Sequence, residues 1–268
     1  VTIPWGSWLY VKKEHATNLQ IPFHKLTELA TEAIKSAALP EGFDVTVLFD
    51  AFYLCPKVVN ACKERNWHYI SIGKTNRWFT TGLVKCKLGK YGRNVLRRDG
   101  RWYKIAGLRH SKMYCLAERI GTLKKLGTAK IVFSRRRGES KYIAIVTDKL
   151  NAPMQAVVAD YLRRWSIEML IKDQKQHLGL GDYRVLRYQA VVRHLHLVDI
   201  AYACLTHVGI KAHRAQGQHK NTKVLRLEPI SSLKQKMLQI FWQENVKDVI
   251  KYSHEKPVIR RLEKLLAA

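Results

Sequence analysis

At 268 residues and 47% hydrophobic content, the chain is long enough to bury a substantial core, which excludes wholesale disorder. Its 48 Lys plus Arg against 21 Asp plus Glu give a net charge of +27 spread over the whole length, and a folded surface this positive points to a polyanion, nucleic acid foremost. Five cysteines, odd in number and without a CxxC pair, read as reduced thiols rather than a disulfide framework or zinc site, and no apolar run reaches membrane-span length.

Residues 2–12 are apolar and aromatic and suit a strand. Residues 24–38 have helical periodicity, with Leu26, Leu29, Ala30, Ala33 and Ile34 on one face. "PEGFD" then turns the chain into "VTVLFD", a buried-strand pattern ending at Asp50. "CPKVVNACKERN" follows as a helix with Pro56 in its first turn, and "WHYISIG" as the next strand. The span 2–73 therefore reads as alternating strands and helices, an α/β layout. In the β-rich, basic span 74–148, "NVLRRDGRWYKIAGL" predicts a hairpin turning at Asp99-Gly100, and "AKIVFSRRRGESKYIAIVTD" a second turning near Gly138. Beyond it, helices are predicted over 152–178, 186–213, 230–245 and 256–267.

The helix predicted over 152–178 carries the most chemistry. At about 100° per residue, Tyr161, Arg164, Glu168, Lys172 and Lys175 fall in one polar stripe on an otherwise apolar helix. Glu168 and Lys172 also have the spacing of an ordinary i,i+4 ion pair. Asp50, at the end of its strand, stands where a ligand-binding carboxylate sits in such sheets, and equally where an N-cap of the next helix would stand. Two carboxylates converging beside cations could hold a divalent metal against a phosphodiester.

The spacing Tyr161-x2-Arg164-x3-Glu168-x6-Lys175, lying 118 residues after the Asp of "VLFDAFYLCPKVV" with a β-rich span between, resembles the YREK signature of bacterial insertion-sequence transposases. These have a DDE, RNase H-like catalytic domain, and the resemblance covers roughly residues 1–215. It implies an RNase H-like α/β core in two parts, 1–73 and 149–215, a β-rich insertion at 74–148 and a C-terminal helical region at 216–268. It implies Asp50 and Glu168 as catalytic, metal-binding carboxylates for Mg²⁺ or Mn²⁺, with Tyr161, Arg164, Lys172 and Lys175 on DNA phosphates. The activity implied is DNA cleavage and strand transfer by a dimer on double-stranded transposon ends and target DNA, in the bacterial cytoplasm on the nucleoid.

Arg135, Arg136 and Arg137 suit a DNA backbone contact or a solvated hairpin tip, and Trp78 and Trp102 a base contact or ordinary packing. His194 and His196, two apart on a helix, do not form a metal pair. No acidic residue before Asp50 occupies the family's first catalytic position; Glu14 is the nearest substitute. The expectation is that this strand and its Asp lie upstream of Val1, leaving the chain alone weakened or inactive. A DNA-binding remnant without catalysis and another RNase H-fold nuclease are the competing readings.

Overall fold

The structure, a computed structural model, describes residues 1–40, 42–106, 111–185, 187–215 and 228–251. It divides into two compact units, Trp8–Glu168, and Val1–Ser7 with Met169–Ala268.

The first unit contains, in order, α1 (Lys13–Asn18), α2 (Leu26–Ser36), β1 (Thr46–Phe49), α3 (Pro56–Glu64), β2 (His68–Gly73), β3 (Trp78–Thr81), β4 (Val84–Lys87), α4 (Leu88–Asp99), β5 (Arg101–Ala106), β6 (Ser111–Leu123), β7 (Gly127–Arg136), β8 (Ile143–Thr147) and α5 (Met154–Leu162). The eight strands form one mixed sheet in the order β1-β2-β8-β7-β6-β3-β4, with β5 also paired to β6. β1 and β2 run parallel; the other pairings are antiparallel. The expected α/β class is therefore found, and β6 to β8 continue the same sheet that β1 and β2 begin.

Strand alternation sends successive side chains to opposite faces. On one face Tyr69, Ile131, Phe133 and Val146 pack with Val58, Val59 and Cys62 of α3 and Val95 and Leu96 of α4. On the other, Ile70, Leu116, Val132 and Ile145 pack with Val157, Val158 and Tyr161 of α5. Lys130, buried on that second face, donates from Nζ to the Ala152 carbonyl at 2.8 Å and pairs with Glu118 at 3.2 Å. It thereby ties the segment leading into α5 to the sheet. Gly138, in the β7–β8 turn, has φ +86°, where glycine carries no Cβ penalty. The second predicted hairpin is thus confirmed.

The second unit contains α7 (Tyr188–Ala215) and α8 (Ile230–Lys251). The boundary falls within α6 (Trp165–His177). Leu170, Leu178, Tyr202, Leu205, Ile230 and Leu233 form its small core, and Gln174 Nε2 donates to Asp199 Oδ1 at 2.8 Å. The predicted helix at 256–267 lies outside the described residues.

Three expectations are corrected. Residues 2–12 join no sheet, because β-branched and aromatic content makes a strand only where a partner strand pairs with it. The hairpin at Asp99-Gly100 is absent: Asn94 to Asp99 close α4, Gly100 is its C-cap, and only β5 is extended. Leu88, Gly92, Val95 and Leu96 form a buried helical face, and Arg97 and Arg98 suit the negative end of the helix dipole. The single helix predicted over 152–178 is two, α5 and α6, separated at Arg163–Arg164.

Gly92 lets α4 approach β7. A Cβ there would intrude on the Phe133 ring and lie 2.7 Å from Cε2 of Tyr142. Gly92→Val should therefore destabilise the fold by about 1–3 kcal/mol through overpacking, read as a lower urea midpoint at unchanged m-value. Burial pushes the Cys62 thiol up to about 12 and raises the Tyr69 phenol as well. Both groups are held in their neutral, protonated forms, so their stabilisation is complete below their ordinary values and is lost as pH rises through the raised ones. Unfolding free energy should fall from about pH 9 upward, and Cys62→Ala should flatten part of that fall between about pH 9 and 12.

Candidate active site

β1 ends at the buried Phe49, whose ring stacks on Tyr69 with centroids 6.0 Å apart, so Asp50 is the first residue past the strand's carboxyl end. The chain then turns, with Tyr53 N–H donating to the Asp50 carbonyl at 2.9 Å, and Leu54 plugs fully into the core. Arg77 Nη2 donates to the Leu54 carbonyl and fixes this turn from outside. The N-cap of α3 is Cys55, so Asp50 does not cap that helix. Its side chain is 58% exposed and available for other work.

The opposing group comes from the break between α5 and α6. Arg163 N–H and Arg164 N–H donate to the carbonyls of Asp160 and Tyr161 at 3.0 Å each, three residues back instead of four. This tightening ends α5 and re-aims the chain. Arg164 then reaches two carboxylates. Its Nη1 lies 3.2 Å from Asp50 Oδ1, and its Nη2 donates to Glu168 Oε1 at 2.7 Å. Tyr161 is 6% exposed, and the Arg164 guanidinium carbon sits 5.8 Å from its ring centroid. The Tyr161 hydroxyl and Arg164 Nε are both buried without a well-aligned hydrogen-bond partner. Burial pushes the Tyr161 phenol up despite the neighbouring arginine, keeping it a neutral donor. Burial alone would lower Arg164, but the bond to Glu168 and the proximity of Tyr161 and Asp50 outweigh it and raise it.

Asp50, Tyr161, Arg164 and Glu168 are thus brought together. The i,i+4 partner of Glu168 is Arg164, on its N-terminal side, and not Lys172. Lys172 and Lys175 are exposed on the later part of α6 and form no ion pair among the described residues. Arg135 sits with its guanidinium carbon 5.9 Å from the Trp102 ring centroid, Arg136 pairs with Glu139 at 3.2 Å, and Arg137 N–H donates to the Met113 carbonyl at 2.9 Å. Trp78 and Trp102 are exposed, and Lys85 and Lys87 lie 6.0 and 5.8 Å from the Trp78 ring. His194 Nε2–H donates to the Gly179 carbonyl, 2.9 Å away, and the ring packs on Tyr183. Sequence reasoning missed Arg77, whose partner lies 23 residues away, and for which no local spacing gives a signal.

Asp50 and Glu168 each keep one oxygen outside the Arg164 bridge, and hard oxygens of this kind suit Mg²⁺, which is commonly held by one or two carboxylates with waters and phosphate. Among the described residues no group of three or more His, Cys, Asp or Glu is arranged to hold a metal ion. The residues therefore fit an open two-carboxylate site and not a closed protein cage.

Arg164→Ala should cost only about 1 kcal/mol of stability, because both carboxylates are part-exposed and screened. Arg164→Lys should recover less than half of it, since an ammonium cannot fork to two partners as a guanidinium does. Urea midpoints of the two variants check this; equal stability of parent and Arg164→Ala would show the bridge to be neutral.

No curated protein matches the chain. The family model described as "Transposase DDE domain" matches residues 24–204, a span that holds Asp50, Tyr161, Arg164 and Glu168. The mixed sheet with helices on both faces is that of an RNase H-like domain. The chain belongs to the transposase DDE domain family.

Proposed function

We propose that this chain is the catalytic domain of a DNA transposase, a protein that cleaves DNA and transfers strands at transposon ends, with Asp50 and Glu168 as two of its metal-binding carboxylates. One observation carries the reading: carboxylates 118 residues apart in sequence converge on a single guanidinium at the carboxyl end of a strand. Structural ion pairs rarely need this placement, whereas phosphoryl transfer needs oxygen ligands and a phosphate clamp at one point. Bound Mg²⁺ or Mn²⁺ would supply Lewis-acid polarisation of the phosphoryl oxygens.

The chain's own groups do the rest. Arg164 presents planar donors that match a phosphate as well as a carboxylate. The neutral Tyr161 hydroxyl, now without an aligned partner, can donate to a phosphate oxygen. Lys172 and Lys175 add positive charge along the DNA backbone, and the 74–148 span serves as the insertion between the two catalytic segments. The substrate is double-stranded DNA, worked on by a dimer in the bacterial cytoplasm on the nucleoid; no helix among the described residues is long and apolar enough to cross a membrane.

A second reading, a DNA-binding remnant without catalysis, is favoured by the lack of a three-ligand cluster among the described residues. The two divide on one assay. With Mg²⁺ and DNA carrying the element's inverted-repeat end, the first reading expects end-specific nicking that falls about a hundredfold or more in Asp50→Ala and Glu168→Ala. DNA binding with no metal-dependent nicking would establish the second reading, and nicking that survives both substitutions would remove these residues from the site.

A further inference from the structure

Among the described residues, Arg164 is the only side chain bonded to the Asp50 carboxylate, and a phosphate that claims Arg164 takes that hold away. What then keeps the carboxylate in place is the backbone on either side of it. On one side, β1 ends at the buried Phe49. On the other, Tyr53 N–H closes the turn onto the Asp50 carbonyl at 2.9 Å, Cys55 N–H donates to the Tyr53 carbonyl at 2.8 Å, and Leu54 is buried. The Leu54 carbonyl lies just outside α3, and no backbone N–H among the described residues donates to it. Its donor is Arg77 Nη2.

Arg77 is itself fixed. β2 runs parallel to β1, so the turn that follows Gly73 lies at the sheet end where Asp50 stands. Within that turn Arg77 N–H donates to the Lys74 carbonyl at 3.1 Å. Leu88 N–H and Gly89 N–H, at the start of α4, donate back to the Arg77 and Thr75 carbonyls at 3.0 and 2.8 Å. The Tyr142 hydroxyl donates to the Gly89 carbonyl and holds that first turn of α4. Arg77 pairs with no carboxylate among the described residues, and its Nε is buried without a partner. Burial lowers it from its ordinary value, against the opposing influence of Cys55 and Tyr69. A half-buried cation without a counter-ion is costly in a chain of net charge +27, and its side chain makes one hydrogen bond, the charge-assisted one to Leu54.

We infer that Arg77 is a positioning residue for Asp50, holding the turn after β1 through the Leu54 carbonyl so that the carboxylate keeps its place when Arg164 lets go. The inference rests on the catalytic reading of Asp50 and adds a residue that acts through the backbone alone. Displacing a reacting or metal-binding group by about 1 Å is enough to cost about a hundredfold in rate, so a turn that carries such a group needs a fixed anchor. The rigid guanidinium of Arg77, seated on α4, supplies one. A direct phosphate contact is the competing role, and it leaves unexplained why the donor is spent on a backbone carbonyl beside Asp50.

The test compares, in the full chain, Arg77→Met, which keeps an unbranched side chain without the donor, and Arg77→Lys, which keeps a donor. Amide hydrogen exchange by NMR reads Tyr53 and Cys55, whose N–H groups close the turn. In Arg77→Met both should exchange about tenfold faster or more with the amides of β7 unchanged, and Arg77→Lys should restore most of the protection. Mn²⁺ titration without DNA, followed by electron paramagnetic resonance, should show affinity about tenfold weaker in Arg77→Met. Asp50→Ala should weaken it at least as much. Adding Arg77→Met to Asp50→Ala should then change it less than about twofold, because the arginine acts through the aspartate. Parent-like exchange at Tyr53 and Cys55 in Arg77→Met overturns the proposal, as does an equal rise through β7, which marks general destabilisation. Duplex binding that weakens with the salt slope reduced by about 0.9, at unchanged exchange, makes Arg77 a phosphate contact and overturns it too. Mn²⁺ affinity that falls in Asp50→Ala but not in Arg77→Met sinks the role of Arg77 alone. Equal Mn²⁺ affinity in the parent and Asp50→Ala sinks the catalytic reading alone, and the exchange at Tyr53 and Cys55 still decides whether Arg77 holds the turn.

Discussion

The rest of the first unit depends on strands β2, β8 and β7 being apolar on both faces. Tyr69 and Ile70, Ile131 to Phe133, and Ala144 to Val146 are all essentially inaccessible to water. A strand of this kind cannot remain at a surface; each face needs its own layer of helix. At about 25 cal/mol per Å² of apolar area, a fully buried Phe or Ile contributes roughly 1.5–3 kcal/mol, so these strands outweigh any single polar contact in the unit. The requirement puts α3 and α4 on one side and α5 on the other, and leaves the strand ends as the places where polar groups can gather.

From that constraint the site follows in steps. α5 must lie across the second face to cover Ile70, Val132 and Ile145, and Lys130 fastens the segment that enters it. The helix ends where that apolar surface ends, at the buried Tyr161 and the part-buried Leu162. The three-residue hydrogen bonds at Arg163 and Arg164 then turn the chain, and Arg164 reaches across to the residue just past β1. Had the helix run straight through, Arg164 and Glu168 would still pair, since four residues separate them in either case. The contact with Asp50 is the long-range one, and it fixes the β1 turn to the α5–α6 break.

Much of this was legible in the sequence, and the pattern of what was not is physical. β1, β2, α2 and α3 declare themselves because local pattern and tertiary environment agree: "VTVLFD" is β-branched and buried, and Pro56 opens its helix. The β7–β8 hairpin is legible for the same reason. The stretch around Asp99-Gly100 misleads because Asp-Gly serves equally as a hairpin turn and as the end of a helix. What separates the two is the burial of Gly92, Val95 and Leu96 against β7, a long-range fact. The break at Arg163–Arg164 has no glycine or proline to announce it. Residues 2–12 have strand composition but no partner, and composition cannot supply one.

The two principal ion pairs of this unit differ in a way that bears on function. Lys130 and Glu118 meet with the lysine side chain 5% exposed, beneath α5, where separating them would strand a buried charge. Arg164 meets its carboxylates with Asp50 58% and Glu168 40% exposed, where water and salt screen the attraction. The first pair is fixed by its burial, while the second can be exchanged for another ligand at little cost. A guanidinium in a screened bridge to two carboxylates can release them and take a phosphate in the same planar geometry. A chain with a net charge of +27 brings that phosphate to it. In the proposed reading the Arg164 bridge is therefore the resting arrangement of the site, holding Asp50 and Glu168 together until DNA arrives to claim the arginine.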